Sequence, residues 1–289
     1  MPDRERSQLE ELHRVYARAI AEELVRWIGP REDRPDGFYT MMRYQLGLSA
    51  DDMPSLALAV DAVPDALLCL HACTAVGGSW RDALGPATSI LLLANWFAVH
   101  EQIEEHRRLG GDRRALWQRW GDPQAINAGD GMFPVAGRAI LDIAGDGDTA
   151  AVLARELAAV SLSRMEGQHM QLSMGDRDVG VDVLTRVVSL KDGALAGYSA
   201  WAGATMGTAS EDTRDALRDF GSALGTARGL WERRAVREVD AGAPYTRAST
   251  YDVIAHYLEN AVISLHRVVL ESGGQERLES FARGLVRLR

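Results

Sequence analysis

Residues 87–105 read A-T-S-I-L-L-L-A-N-W-F-A-V-H-E-Q-I-E-E. Thirteen residues of mostly apolar character predict a helix buried on more than one side. Its end, His100 to Glu105, then turns acidic. Ile90, Ala94, Phe97, Glu101, Glu105 and Arg108 keep three- and four-residue spacing, so the glutamates continue the stripe that Ile90, Ala94 and Phe97 turn toward the core. Burying an ionised carboxylate costs several kcal/mol unless it is paired or holds a metal. Two readings follow. Either the helix emerges into solvent at His100 and the glutamates pair with Arg107 or Arg108, or the carboxylates face inward and hold a cation.

Outward from that stretch the same periodicity recurs. Residues 6–28, 52–76, 86–108, 124–143, 148–170, 179–207, 211–238 and 250–270 carry apolar positions at helical intervals. Gly, Pro and Asp punctuate the intervals. G-D-G-D at 145–148 and S-M-G-D-R-D-V-G at 173–180 read as loops, and D-A-G-A-P-Y-T-R-A-S at 240–249 as a connection. Alternating β-branched runs are nearly absent, so the expectation is an all-α single domain over 1–289. A chain of 289 residues, 46% hydrophobic and 25% charged, can bury a large core. No run of about 18 apolar residues suggests a membrane span. The charged N-terminus carries no secretory pattern, and a cytoplasmic protein is expected. Cys69 and Cys73, four apart, stack on one helical face and read as reduced, buried thiols. A net charge of −9 argues against nucleic acid as a partner. Among 32 Lys and Arg residues the single lysine is Lys191, which sets it apart in an arginine-rich chain.

Several segments carry a resemblance in collinear order. W-Q-R-W-G-D-P-Q-A-I-N-A-G-D at 117–130 resembles a signature of the trans-isoprenyl diphosphate synthases, the polyprenyl synthetase family. M-M-R-Y-Q-L-G at 41–47 is similar to its actinobacterial branch, and L-L-C-L-H-A-C-T-A-V-G-G at 67–78 to its second core helix. M-E-G-Q at 165–168 resembles its Gly-Gln motif, and F-G-S-A-L-G at 220–225 the segment before its second aspartate-rich motif. The resemblance implies an isoprenoid synthase fold, one helical bundle around a central cavity, with a dimer through helices near 86–108 and 124–143.

Carried over position by position, the resemblance is uneven. The first aspartate-rich motif, which binds Mg2+ and through it a substrate diphosphate, falls on Glu101-Gln102-Ile103-Glu104-Glu105. Glu101, Gln102 and Glu105 are therefore the implied metal ligands, oxygen donors suited to a hard cation. The second motif falls on Glu232-Arg233-Arg234-Ala235-Val236, where two arginines oppose a metal cluster. The segment that grips isopentenyl diphosphate falls on D-A-V-P-D-A at 61–66, which has no cation. The family's paired arginines fall on Gly110 and Gly111. Arg107 and Arg108, one turn closer, either substitute for them or pair with Glu104 and Glu105. A Lys-Thr pair falls on Lys191-Asp192, so Lys191 is either a diphosphate contact or an exposed lysine without a role. Gln168 matches the glutamine near the diphosphate, and Gln171 stands where an acid is usual. Trp96 and Phe97 resemble aromatics that floor the pocket of short-chain members, and they also read as plain core.

Three functions follow from the resemblance. The first is an enzyme acting on one short allylic prenyl diphosphate, ionising it with metal assistance and then cyclising, rearranging or transferring the cation, without an isopentenyl site. Its catalytic residues would be Lys191, Gln168, Arg107 and Arg108. The second is a catalytically silent or regulatory subunit, in a homodimer or in a heterodimer with an active homologue. The third is a short-chain trans-prenyltransferase.

Overall fold

The computed structural model describes residues 3–33, 35–48, 58–59, 63–108, 113–143, 147–175, 179–239 and 247–286. Its regular elements are helical and no strand occurs among these residues, as the periodicity predicts. Contacts divide the chain into two units, Met1–Leu67 with Leu84–Ala154, and Leu68–Ala83 with Arg155–Arg289. The division falls within helices α3 (Pro64–Ala75) and α7 (Gly147–Met174).

The first unit contains α1 (Asp3–Ile28), α2 (Asp36–Gln45), α4 (Leu84–Glu104), α5 (Leu116–Trp120) and α6 (Asp122–Leu141). In α1, Tyr16, Ile20, Leu24 and Ile28 recur at four-residue spacing and are buried. Helix α4 is apolar all round, and Ile90, Leu91, Leu92, Leu93, Phe97 and Val99 are all buried. It packs on α6, where small residues allow close approach. A Cβ on Gly129 would lie 3.1 Å from Val99 Cγ1 and 3.2 Å from His100 Nε2. A Cβ on Gly131 would collide with Phe38 and Met42 of α2. Helix α6 starts at Gly121, whose φ of +80° favours glycine, and Pro123 sits in its first turn.

The second unit continues from α8 (Val181–Val188) through a π-helical segment, Ser189–Gly193, into α9 (Ala194–Met206). Then come α10 (Glu211–Val239), α11 (Arg247–Leu265) and α12 (Gly274–Leu285). Helix α9 is buried from Leu195 to Ala204 and packs on α10. Gly221, Gly225 and Gly229 form one stripe of α10. Added Cβ atoms there would strike the Ala196 carbonyl, the Asp192 carbonyl and the Asp192 carboxylate respectively. The F-G-S-A-L-G segment is thus a close-packing device, which brings α10 against α9 and the π turn.

Some sequence boundaries shift. The helix expected over 86–108 ends at Glu104, because His106 takes a left-handed φ of 50° and the Arg107 N–H closes the turn onto the Gln102 carbonyl at 2.8 Å. Arg108 therefore leaves the stripe that the sequence spacing assigned to it. The helix expected over 179–207 is interrupted by the π turn, a local detail that apolar periodicity does not register. Of the helix expected over 52–76, the described part is α3; residues 52–57 and 60–62 lie outside the described residues. Helices α2, α5 and α12 lie outside the segments that the periodicity predicts as helical. Parts of the expected loops at 145–148 and 173–180, and most of the connection at 240–249, lie outside the described residues, as do Gly110 and Gly111. Cys69 and Cys73 are free and buried, in keeping with reduced thiols. Among the described residues no helix is long and apolar enough to cross a membrane.

Candidate functional site

In the first unit the acidic end of α4 is half sunk into the protein. Glu101 and Gln102 are buried, Glu105 is partly buried and Glu104 is exposed. Arg107 spans the two inner carboxylates. Its Nη1 lies 3.8 Å from Glu101 Oε2, and its Nη2 makes a short contact with Glu105 Oε2. Of the two partners considered for the glutamates, Arg107 is thus the one the structure brings in, and it reaches Glu101 and Glu105; Arg108 is exposed. Trp117, from the segment that carries the strongest resemblance, donates its indole N–H to the Arg107 carbonyl at 3.2 Å and so braces the turn. Trp96 and Phe97 are buried with ring centroids 4.5 Å apart, and Trp96 also meets Phe133 at 4.8 Å. His100 Nε2 lies 3.0 Å from Asp130 Oδ1.

Oxygen donors at this turn have the right chemistry for magnesium. Gln102 follows Glu101 by one residue, about 100° round the helix. Its amide oxygen is buried without a hydrogen-bond partner. Among the described residues no three His, Cys, Asp or Glu side chains gather as a metal centre. What α4 presents is two carboxylates sharing one guanidinium.

In the second unit the polar residues converge on the π turn. A π turn widens the helix and leaves backbone carbonyls to be satisfied by other groups. Arg164 Nη1 donates to the Lys191 carbonyl at 3.0 Å, and Ser163 Oγ to the Leu190 carbonyl at 3.0 Å. The Lys191 side chain is 1% exposed, so it is not the surface lysine that the sequence left open. Its Nζ donates to Gln168 Oε1 and, at 3.0 Å, to Gln171 Oε1. Gly167 makes room for its stem, since a Cβ there would lie 2.7 Å from Lys191 Cγ.

Asp192, the next residue, receives Arg233 Nη1 at 2.7 Å. Arg233 Nη2 also donates to Gln171 Oε1 at 3.2 Å. Burial pushes the Asp192 carboxyl up, but Arg233, Arg164 and Arg228 together outweigh it and hold the carboxyl below its ordinary range. Glu232, also in the stretch matched to the second acidic motif, is largely exposed and lies 3.7 Å from Arg228. That stretch therefore presents a guanidinium to a carboxylate contributed by the π turn.

Lys191 and Gln168 were both singled out from sequence, and the structure joins them. Arg164, Arg228 and the role of Asp192 were missed. A signal existed: Arg164, Gln168 and Gln171 share one stripe of α7, and Arg233 ends the glycine stripe 221, 225, 229 on α10.

The chain resembles known proteins in both sequence and structure. It is 30% identical over 177 residues to the (2E,6E)-farnesyl diphosphate synthase of Mycobacterium tuberculosis, covering 57% of this chain and 48% of that protein. It is 32% identical over 165 residues to a short chain isoprenyl diphosphate synthase of Methanothermobacter thermautotrophicus, covering 55% and 49%. The chain thus spans about half the length of these curated relatives. Among solved structures, an FPP/GFPP synthase of Zymomonas mobilis superposes with a TM-score of 0.81 at 20% identity, covering 97% of this chain and 99% of that one. A polyprenyl synthetase of Streptomyces coelicolor gives 0.79 at 19%, covering 96% and 99%. These likenesses show the fold, the all-α isoprenoid synthase fold. The family model for polyprenyl synthetase matches residues 66–228, which hold the acidic turn, the signature tryptophan and the π turn, and on that match the chain belongs to the polyprenyl synthetase family.

Proposed function

We propose that the protein is an enzyme that accepts one short allylic prenyl diphosphate and uses it by loss of diphosphate, without elongating it. The observation that carries this reading is the buried Lys191, held by the Gln168 and Gln171 amide oxygens, with the Arg233 guanidinium beside it. Such a set offers fixed positive charge to a polyanion, with Arg233 as its exposed donor. As the allylic C–O bond ionises, charge gathers on the departing diphosphate, and a pre-positioned ammonium and guanidinium stabilise that charge more than they stabilise the ground state. Gln168 and Gln171 accept from the ammonium and fix where it points. The absence of any cation in D-A-V-P-D-A at 61–66 supports a reaction that does not bind isopentenyl diphosphate.

Chain elongation is the second reading, favoured by the names of the relatives, which are diphosphate synthases. The two are separated by incubating purified protein with Mg2+ and geranyl, farnesyl or geranylgeranyl diphosphate, each with and without isopentenyl diphosphate. Diphosphate release and hydrocarbon products are followed. The first reading expects release from an allylic substrate alone, with kcat/KM lowered about 100-fold or more in Lys191→Ala. A product one isoprene unit longer than its primer establishes the second. No release from any combination removes both and leaves a silent subunit.

A further inference from the structure

We propose that Arg233, with Lys191 and the neighbouring arginines, forms a diphosphate-binding site that needs no divalent cation, and that Asp192 holds Arg233 in place until the anion takes over that role. The inference rests on the prenyl diphosphate reading for its ligand class, but its mechanism is separate. Four cations, Lys191, Arg164, Arg228 and Arg233, surround the π turn. Asp192 is the carboxylate that these contacts bring inside it, while Glu232 stays at the exposed rim. Cationic groups gathered in a partly desolvated setting favour a multivalent counter-ion.

The arrangement also changes the charge at two matched positions. Where the resemblance expects a second carboxylate cluster, α10 supplies Arg233. Where it expects a threonine, the π turn supplies Asp192. Gly229 is the residue that permits the exchange, since a Cβ there would collide with the Asp192 carboxylate. A guanidinium can do directly what a metal ion does by bridging: it offers several N–H donors in a planar fork matched to phosphate oxygens. Two of the five Arg233 donors are engaged by Asp192 and Gln171. Arg233 keeps about a quarter of its side-chain surface exposed, so it is the accessible member of the cluster. A diphosphate oxygen reaching Arg233 would compete with the Asp192 carboxylate for the same donor. The low Asp192 pKa is the mark of that positive environment.

Calorimetric titration of the intact protein in excess chelator tests this, with inorganic diphosphate, orthophosphate and a non-ionisable thiolo analogue of farnesyl diphosphate as separate titrants. Inorganic diphosphate should bind without metal, at least tenfold more tightly than orthophosphate. Arg233→Gln should weaken it tenfold or more, and Asp192→Asn should strengthen it several-fold by removing the competing carboxylate. If Arg233→Gln fails to fold, Arg233→Lys decides, because it keeps the charge and loses the fork; a fall in affinity supports the site. Binding of inorganic diphosphate assigns the site to the diphosphate group itself, and binding of the analogue alone assigns it to the substrate. Binding that appears only with Mg2+, or that is unchanged by both Arg233 variants, overturns the proposal. Turnover with magnesium but no binding in chelator would remove this inference and leave the enzymatic reading. Binding without turnover would do the reverse.

Discussion

Asp192 shows how a single residue can be fixed by its neighbours. Its folded carboxyl lies below the ordinary carboxylate range, so the unfolded chain binds a proton at a higher pH than the folded one does. Stability from this group is therefore fully present above about pH 4, the unfolded value, and is lost as pH falls through the lower folded value. Denaturant titrations from pH 7 to pH 3 should show an acid limb that Asp192→Asn flattens. An identical limb in the variant would place the loss elsewhere. Lys191 could be picked out from sequence because it is the lone lysine, whereas Asp192, one residue on, looked ordinary. Its importance comes from Arg233, 41 positions away. The cysteines were legible as thiols, and burial, with Asp82 nearby, pushes Cys73 up to about 12.

At the scale of elements, the glycines separate into two physical kinds. Gly221 and Gly225 sit where α10 touches the backbone of α9 and of the π turn, so an added methyl has no flexible neighbour to displace. Gly221→Ala should cost about 1–3 kcal/mol, as overpacking does. Gly137 lies within α6 with nothing near its missing Cβ. Gly137→Ala should stabilise by about 0.4–1 kcal/mol, because alanine is the better helix former and the unfolded chain loses freedom. Chemical denaturation of the two variants should shift in opposite directions; shifts of the same sign would refute the packing account of F-G-S-A-L-G. The sequence showed that motif as a resemblance, and the contact with Asp192 supplies its physical reason. It also showed α4 as a buried helix with an acidic end, but not where the helix stops. The stop depends on His106 entering a left-handed turn and on Trp117 bracing it from another element.

For the whole molecule, net charge and local charge point in opposite directions. The chain carries −9 with an isoelectric point near 5.3, yet four cations gather at the π turn. A small anion can meet that cluster, while an extended polyanion meets the overall negative field. At pH 7.5 and physiological salt the protein should pass through immobilised heparin and be retained on an anion exchanger. Retention on heparin would mean that the cationic cluster extends over a wide surface.

The sequence by itself determined the helical class, the approximate helix positions, the family and the candidate residues Glu101, Glu105, Gln168 and Lys191. Those properties are written in short-range spacing and in the order of motifs along the chain, and neither needs the chain to be folded. Tertiary structure alone decided that Arg107 bridges Glu101 and Glu105, that Lys191 is buried against Gln168 and Gln171, and that Arg233 faces Asp192. The reason is physical. A helix is built from hydrogen bonds four residues apart, whereas an ion pair forms only when packing brings distant turns together, and at the π turn it is glycines 167 and 229 that let them meet.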